Sequence, residues 1–316
     1  MFLQWIKKWP FALFLVALSF SKYALAAPKV VVTLKPIHSL VASVMVGVGE
    51  PHLLLPDGAS PHTFQLKPSS FKELQQADLV IWIGPSLETF MIKPLTQLHP
   101  TFGIMTLQDI PQLQLLPRRQ GRAWQDPHES EEHEHHEDHL DLDPHFWLST
   151  QNAKVMVEYI ANYLAKVDPT HANVYLKNAK NEKDNINSLE ISLKALLTPI
   201  QKEPFLVYHD GYQYFEKEFH LNGVGTMIIN PHLPLSAHGL SIIRQLIASN
   251  HVKCVFRETE FNDTTILNSL KTINVQVAEL DPLGARIPKG PDNYQNTLTN
   301  LAKTLNGCLS SATTNS

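Results

Sequence analysis

Cysteine is scarce in this 316-residue chain: there are two, Cys254 and Cys308, and they do not form a C-x-x-C pair. That spacing leaves no zinc-ribbon or thioredoxin-like motif to consider. Beyond the N-terminus there is no long apolar run, so no later segment approaches the ~20 residues needed to span a bilayer. Also missing are H-E-x-x-H, G-x-S-x-G, G-x-x-x-x-G-K and a G-x-G-x-x-G after a strand. Those patterns carry metalloprotease, serine-hydrolase and nucleotide-binding chemistry. The nearest approaches to the first, His128-Glu129 with His133 and His136-Glu137 with His139, miss the required spacing by one residue in either direction. Lys and Arg form no basic patch, so nucleic acid has no electrostatic footprint to bind. A binding protein is expected rather than an enzyme, with a zinc hydrolase as the rival reading.

What the chain does have begins with a leader. Lys7 and Lys8 precede the apolar run Phe11 to Phe20, and Ala24-Leu25-Ala26 precedes Ala27. A basic region, a short apolar core and a small-x-small site predict a secretory signal peptide over residues 1–26, removed on export. Neither cysteine lies near that site, so no thiol there could carry a lipid anchor. Two cysteines in an exported chain predict one disulfide, Cys254 to Cys308, closing a loop that contributes about 4 kcal/mol in the chain-entropy model. Removing the leader takes away three lysines and no acids, leaving 23 basic against 30 acidic side chains.

Much of that imbalance is local. From Asp126 to Asp143 the chain holds five histidines, His128, His133, His135, His136 and His139, among nine acids, with no Lys or Arg. Imidazole and carboxylate suit borderline divalent cations such as Zn²⁺. The rival is an acidic, solvated loop with incidental histidines. The multiplicity of partial ligand sets argues against one rigid site, and the polar composition of 120–143 predicts disorder without metal. A weaker, secondary metal site or a cation antenna is expected here.

Short β-rich apolar runs alternate with helical stretches, and they do so twice. The first set is Val30 to Leu34, Leu53 to Leu55, Leu79 to Ile83 and Ile104 to Leu107; the second is Phe205 to Tyr208, Gly225 to Ile229, Val252 to Phe256 and Val275 to Leu280. Runs of this kind between helices predict buried parallel strands. Ser70-Phe-Lys-Glu73 has the capping-box pattern, Ser149 and Ser236 are placed as N-caps, and Asp168-Pro169 pairs an N-cap with Pro at the first helical position. From Thr170 to about Leu197 there is neither Gly nor Pro, which predicts one long helix. The expected architecture is two α/β lobes, 27–167 and 199–316, each with a four-stranded, mainly parallel sheet flanked by helices. The rigid helix 168–198 joins them, with a metal site in the cleft.

In parallel sheets ligands gather beyond the C-terminal strand ends. His62, His145, His209 and Asp281 all meet that test, two from each lobe. Spacings this long form no local motif. Several stretches nevertheless resemble one family in order: Leu54-Leu-Pro-Asp-Gly-Ala-Ser-Pro-His62, Lys67-Pro-Ser, Ala77-Asp-Leu-Val-Ile-Trp-Ile-Gly-Pro85, Pro144-His-Phe-Trp-Leu-Ser149, Val207-Tyr-His-Asp-Gly-Tyr-Gln-Tyr-Phe215, Cys254-Val-Phe-Arg-Glu-Thr-Glu260 and Leu280-Asp-Pro-Leu-Gly284. The family is the periplasmic solute-binding proteins of zinc ABC importers, the ZnuA type, within a cluster that also binds manganese.

The resemblance covers nearly the whole mature chain. It implies the two-lobe fold, the same disulfide, and Zn²⁺ held by His62, His145 and His209. Manganese members usually carry a carboxylate where His209 stands, and three imidazoles favour Zn²⁺. Some zinc members have a glutamate just before the first histidine; here Pro61 offers no ligand atom. Asp281 is the first choice for a fourth ligand, with water as the alternative. The implied partner is a membrane permease driven by a cytoplasmic ATPase, and a monomer is expected. A manganese-binding protein, or a general metal-binding protein or adhesin of the same fold, is the alternative. The histidines at 38, 52, 99, 171, 220, 232, 238 and 251 are expected to be structural, with His38 alone placed to line the cleft as a supporting group.

Overall fold

The computed structural model describes residues 27–124, 142–229, 235–261, 268, 270, 273 and 275–311. The leader and the histidines of the acidic tract, His128, His133, His135, His136 and His139, lie outside the described residues. No helix among the described residues is long and apolar enough to cross a membrane.

Two four-stranded parallel sheets repeat one winding. Strands β1 (Val30–Val32), β2 (His52–Leu53), β3 (Leu79–Trp82) and β4 (Ile104–Thr106) pair in the order β2-β1-β3-β4. Strands β5 (Pro204–Val207), β6 (Asn222–Thr226), β7 (Cys254–Glu258) and β8 (Gln276–Leu280) pair in the equivalent order β6-β5-β7-β8. In each sheet the first strand has later strands on both sides. The crevice where strand order reverses is therefore at β1/β3 in one lobe and β5/β7 in the other.

The second sheet shows why its two central strands carry unbroken apolar runs, Phe205 to Val207 and Cys254 to Phe256. Phe205, Val207, Cys254 and Phe256 face the large core cluster shared with the first lobe. The alternate residues Leu206, Val224 and Val255 face a smaller cluster with Ile243 and Ile247 of α7 (Ala237–Ser249). With both faces covered, period-two alternation of polarity disappears.

Helices α4 (Thr150–Val167) and α5 (Ala172–Leu197) pack on each other and on α1 (Lys35–Met45), while α8 (Asn293–Ser311) closes the second lobe. Along α5 the buried residues are Tyr175, Ala179, Glu182, Ile186, Leu189, Leu193 and Leu197. Steps of four and three keep them on one stripe, which is how a helix rich in Asn, Lys and Glu still docks firmly. Ile191 falls off that stripe and is 71% exposed. The Cys254–Cys308 disulfide ties β7 to α8.

Local capping signals fared unevenly. Ser149 accepts the Asn152 amide and Ser236 the Gly239 amide, as expected of N-caps. Ser70 does not cap: α2 runs Pro68–Gln75 with Lys67 as its N-cap. Proline holds Lys67 extended and supplies a preset φ for the first turn, so the boundary moves ahead of the serine. Asp168 also caps no α-helix amide with its side chain. A 3₁₀ turn, Pro169–His171, comes first, and the carboxylate instead meets His171 Nδ1 at 2.7 Å and the Tyr175 hydroxyl at 2.8 Å.

The lobes are also linked by a second crossing. The segment after β4 runs to the far edge of the second sheet, where Trp124 N donates to Val224 O at 3.2 Å and Thr226 N to Arg122 O at 2.9 Å. On the return side, Asp143 N donates to Leu116 O at 2.9 Å.

Candidate metal site

The three histidines arrive by different local structures. His62 follows β2 on a turn through Pro56-Asp57-Gly58, where Gly58 takes φ +76°, a region that glycine enters without penalty. His145 sits two residues after Asp143, whose Oδ1 accepts the His145 backbone amide at 3.0 Å and faces its Nδ1 at 2.8 Å. His209 lies just past β5. The parallel register that aligns Val207 with Phe256 carries Glu258 alongside it, and Glu258 Oε1 lies 2.6 Å from His209 Nδ1. That is the β5/β7 crevice.

These carboxylates set the tautomers. An ionised carboxylate can only accept, so Nδ1 of each ring carries the proton and Nε2 presents its lone pair. Burial, partly opposed by the His145 amide and Arg119, pushes the Asp143 carboxyl up to about 6, so it remains ionised at neutral pH. Burial also drives His145 well below its ordinary value, helped by the charge of His209. For His209 burial, the largest single influence, acts downward as well, but the Glu258 carboxylate together with Glu260 and Asp210 outweighs it and the net direction is upward.

The Nε2 atoms converge. His62 Nε2 lies 3.3 Å from His145 Nε2, and His209 Nε2 lies 3.2 Å from the same atom. One ligand nitrogen from each of the three rings falls within 4.8 Å of the other two. A tetrahedral Zn²⁺ with Zn–N bonds of ~2.0–2.1 Å places neighbouring nitrogens ~3.3–3.4 Å apart. When both rings are neutral, two lone pairs face each other at this distance, in a site where His145 is 2% and His209 5% exposed, and repel. A proton or a divalent cation relieves that repulsion.

Asp281 does not join the cluster. Its carboxylate caps its own turn, accepting Ala285 N at 3.0 Å and Arg286 N at 3.2 Å. Both amides lie within five residues of it, so the local turn satisfies the carboxylate before the distant histidines can. His38 is likewise occupied elsewhere, with Nε2 2.9 Å from the Pro51 carbonyl.

Residues that sequence reasoning passed over supply the surroundings. Glu258 and Asp143 orient two of the rings. Glu260 is pushed up to about 8 by burial and by Glu258, against the pull of His209, so the second lobe brings concentrated acid to this wall of the site. Asp143 stood two positions from His145 and could have been suspected. Glu258 stood inside the matched stretch from Cys254 to Glu260, but nothing local tied it to His209, since only strand register brings the two together.

Two parallel-sheet lobes astride converging imidazoles define the two-lobed class of solute-binding proteins. Comparison with known proteins places the chain within it. The family model described as zinc-uptake complex component A, periplasmic, matches residues 30–308. A high-affinity zinc uptake system protein ZnuA from Brucella suis is 35% identical over 306 residues, covering 89% of this chain and 91% of the relative. Its counterpart from Yersinia pestis is 33% identical over 298 residues, covering 91% and 93%. Among solved structures, the periplasmic zinc binding protein TroA from Treponema pallidum superposes with a TM-score of 0.75 at 19% identity, covering 90% of this chain and 99% of that one. The chain belongs to the ZnuA family of zinc-uptake components.

Proposed function

We infer that this protein captures Zn²⁺ in the periplasm between its two lobes and delivers it to the permease of an ABC importer. His62, His145 and His209 are the ligands, each through Nε2. The observation that carries the reading is the pair of Nε2–Nε2 separations, 3.3 and 3.2 Å, with the Nδ1 protons of the two buried rings, His145 and His209, committed to carboxylates. Three nitrogen donors favour Zn²⁺ over the harder Mn²⁺, which prefers oxygen. The fourth position falls to a water, or to Asp281 if its turn opens. Membership in a family of zinc-uptake components supports a transport role rather than a catalytic one. The leader directs export, and the tract from Asp126 to Asp143 gathers cations at weaker sites.

Metal titration of chelator-stripped mature protein tests this reading. One tight Zn²⁺ per chain is expected, with Mn²⁺ bound far more weakly, and deletion of residues 126–141 should remove only weaker equivalents. Equal affinity for Mn²⁺, or loss of the tight equivalent on deleting the tract, would sink it.

A further inference from the structure

Beside the histidines a second set of contacts ties the same two lobes. Arg119 lies on the crossing segment, and its Nε donates to both Asp210 carboxylate oxygens at 3.0 Å, while Nη2 also bonds Asp210. Nη1 donates to Glu216 Oε2 at 2.6 Å on α6 (Gln213–Phe219). The guanidinium carbon stands 3.3 Å from the centroid of the Trp124 ring. Asp210 is the residue after His209. The side chains of Arg119, Asp210 and Glu216 are 18%, 16% and 7% exposed, so the fork is largely withdrawn from water. There a charge-assisted, bidentate pair is strong and direction-specific.

The segment that carries Arg119 also supports His145. Leu116 N donates to the Tyr214 hydroxyl at 2.8 Å, and that hydroxyl donates to Asp143 O at 2.9 Å. Leu116 O accepts Asp143 N, and Asp143 Oδ1 holds His145 Nδ1. A continuous path thus runs His209, Asp210, Arg119, Leu116, Asp143, His145, without passing through the metal position. Its free ends are the two Nε2 atoms 3.2 Å apart.

We propose that Arg119 is a positioning residue for metal retention: its guanidinium clasps the His209–Asp210 turn to the segment supporting His145, and so sets the separation of the two donor nitrogens. This rests on the zinc-capture reading above. The clasp opposes the lone-pair repulsion that would spread the rings in the metal-free protein, and it limits the excursions that let bound Zn²⁺ escape. Lysine cannot replace it, because a single ammonium neither forks onto two carboxylates nor stacks flat on indole.

The test uses the mature chain and its variants Arg119→Ala and Arg119→Lys. Lys154→Ala serves as the control, because it removes an ion pair to Glu190 that links α4 to α5. Zinc release into excess chelator, the visible absorption spectrum of the Co²⁺-loaded form and the Tm of the metal-free form are measured. Both Arg119 variants should release Zn²⁺ about tenfold faster, at the lower end of the effect of losing a group that orients ligands, with shifted Co²⁺ bands. The control should lower Tm and leave release rate and spectrum unchanged. Wild-type release rates, or an unshifted Co²⁺ spectrum, in a folded Arg119 variant would overturn the clasp; if the alanine variant does not fold, the lysine variant decides. Absence of tight zinc in the wild type would overturn the capture reading and the clasp together, whereas a normal wild type with unaltered variants overturns the clasp alone.

Discussion

The strand end that carries His209 and the turn that carries His62 present the same chemical group in different ways. His209 extends from a strand paired on both sides, is 5% exposed, and has its Nδ1 2.6 Å from a Glu258 carboxylate that is itself fully buried. His62 stands half-buried on a turn braced by short-range bonds, Thr63 N and Phe64 N to Ser60 O at 3.2 and 3.0 Å. The turn is held from below where Lys35 pairs with Asp57 at 2.6 Å and reaches the Ala285 carbonyl of the other lobe at 3.1 Å. On the zinc-capture reading, a ring fixed by sheet register and an internal carboxylate is prepared for metal before it arrives. A ring on a half-exposed turn can be supplanted by water.

That contrast ranks the expected effects. His209→Ala should weaken Zn²⁺ binding more than about 100-fold, beyond the 10–100-fold typical of losing an orienting partner, while His62→Ala should cost less because water can take its place. Competition titration against a chelator reads both, and equal losses would erase the distinction. Next comes Glu258→Gln, which keeps the volume but gives up the carboxylate that holds Nδ1–H. A 10–100-fold loss of affinity is expected, and unchanged affinity would mean that the charge of Glu258 is not needed to hold the ring.

The smallest effect is on pH dependence. A histidine must be neutral to bind, so a proton competes with metal. His209 has its titration raised by Glu258 against burial, and His145 has its lowered far by burial. Of these two rings His209 is therefore the one at which a proton competes first on acidification from neutral, so the loss of affinity should begin at lower pH in Glu258→Gln than in the wild type. The proton at His145 enters only well below its ordinary ~6.5. An onset of the affinity loss that does not move to lower pH in Glu258→Gln would refute that division.

Much of the fold was legible because its determinants are local. Apolar runs such as Leu79 to Ile83 and Phe205 to Tyr208 mark strands buried on both faces, and Ser149 and Ser236 mark helix starts within one turn of themselves. Ser70 misled because a proline two residues earlier sets the helix boundary more strongly than a capping pattern does. Asp281 was read from its place at a strand end, yet its oxygens are satisfied by two amides of its own turn, a competition that spacing does not reveal.

By itself the sequence determined that two similar α/β units would form, that one disulfide would pair the two cysteines, and that histidines would stand at strand ends. It could do so because hydrophobic periodicity, capping and the count of thiols act over a few residues or need no geometry at all. Only the tertiary structure decided which imidazoles meet, which nitrogen of each faces inward, and that Glu258 and Arg119 stand where they do. Those facts depend on groups 49 to 91 residues apart brought within hydrogen-bond distance. Such contacts are set by the registers and packing of whole sheets, which no local pattern encodes.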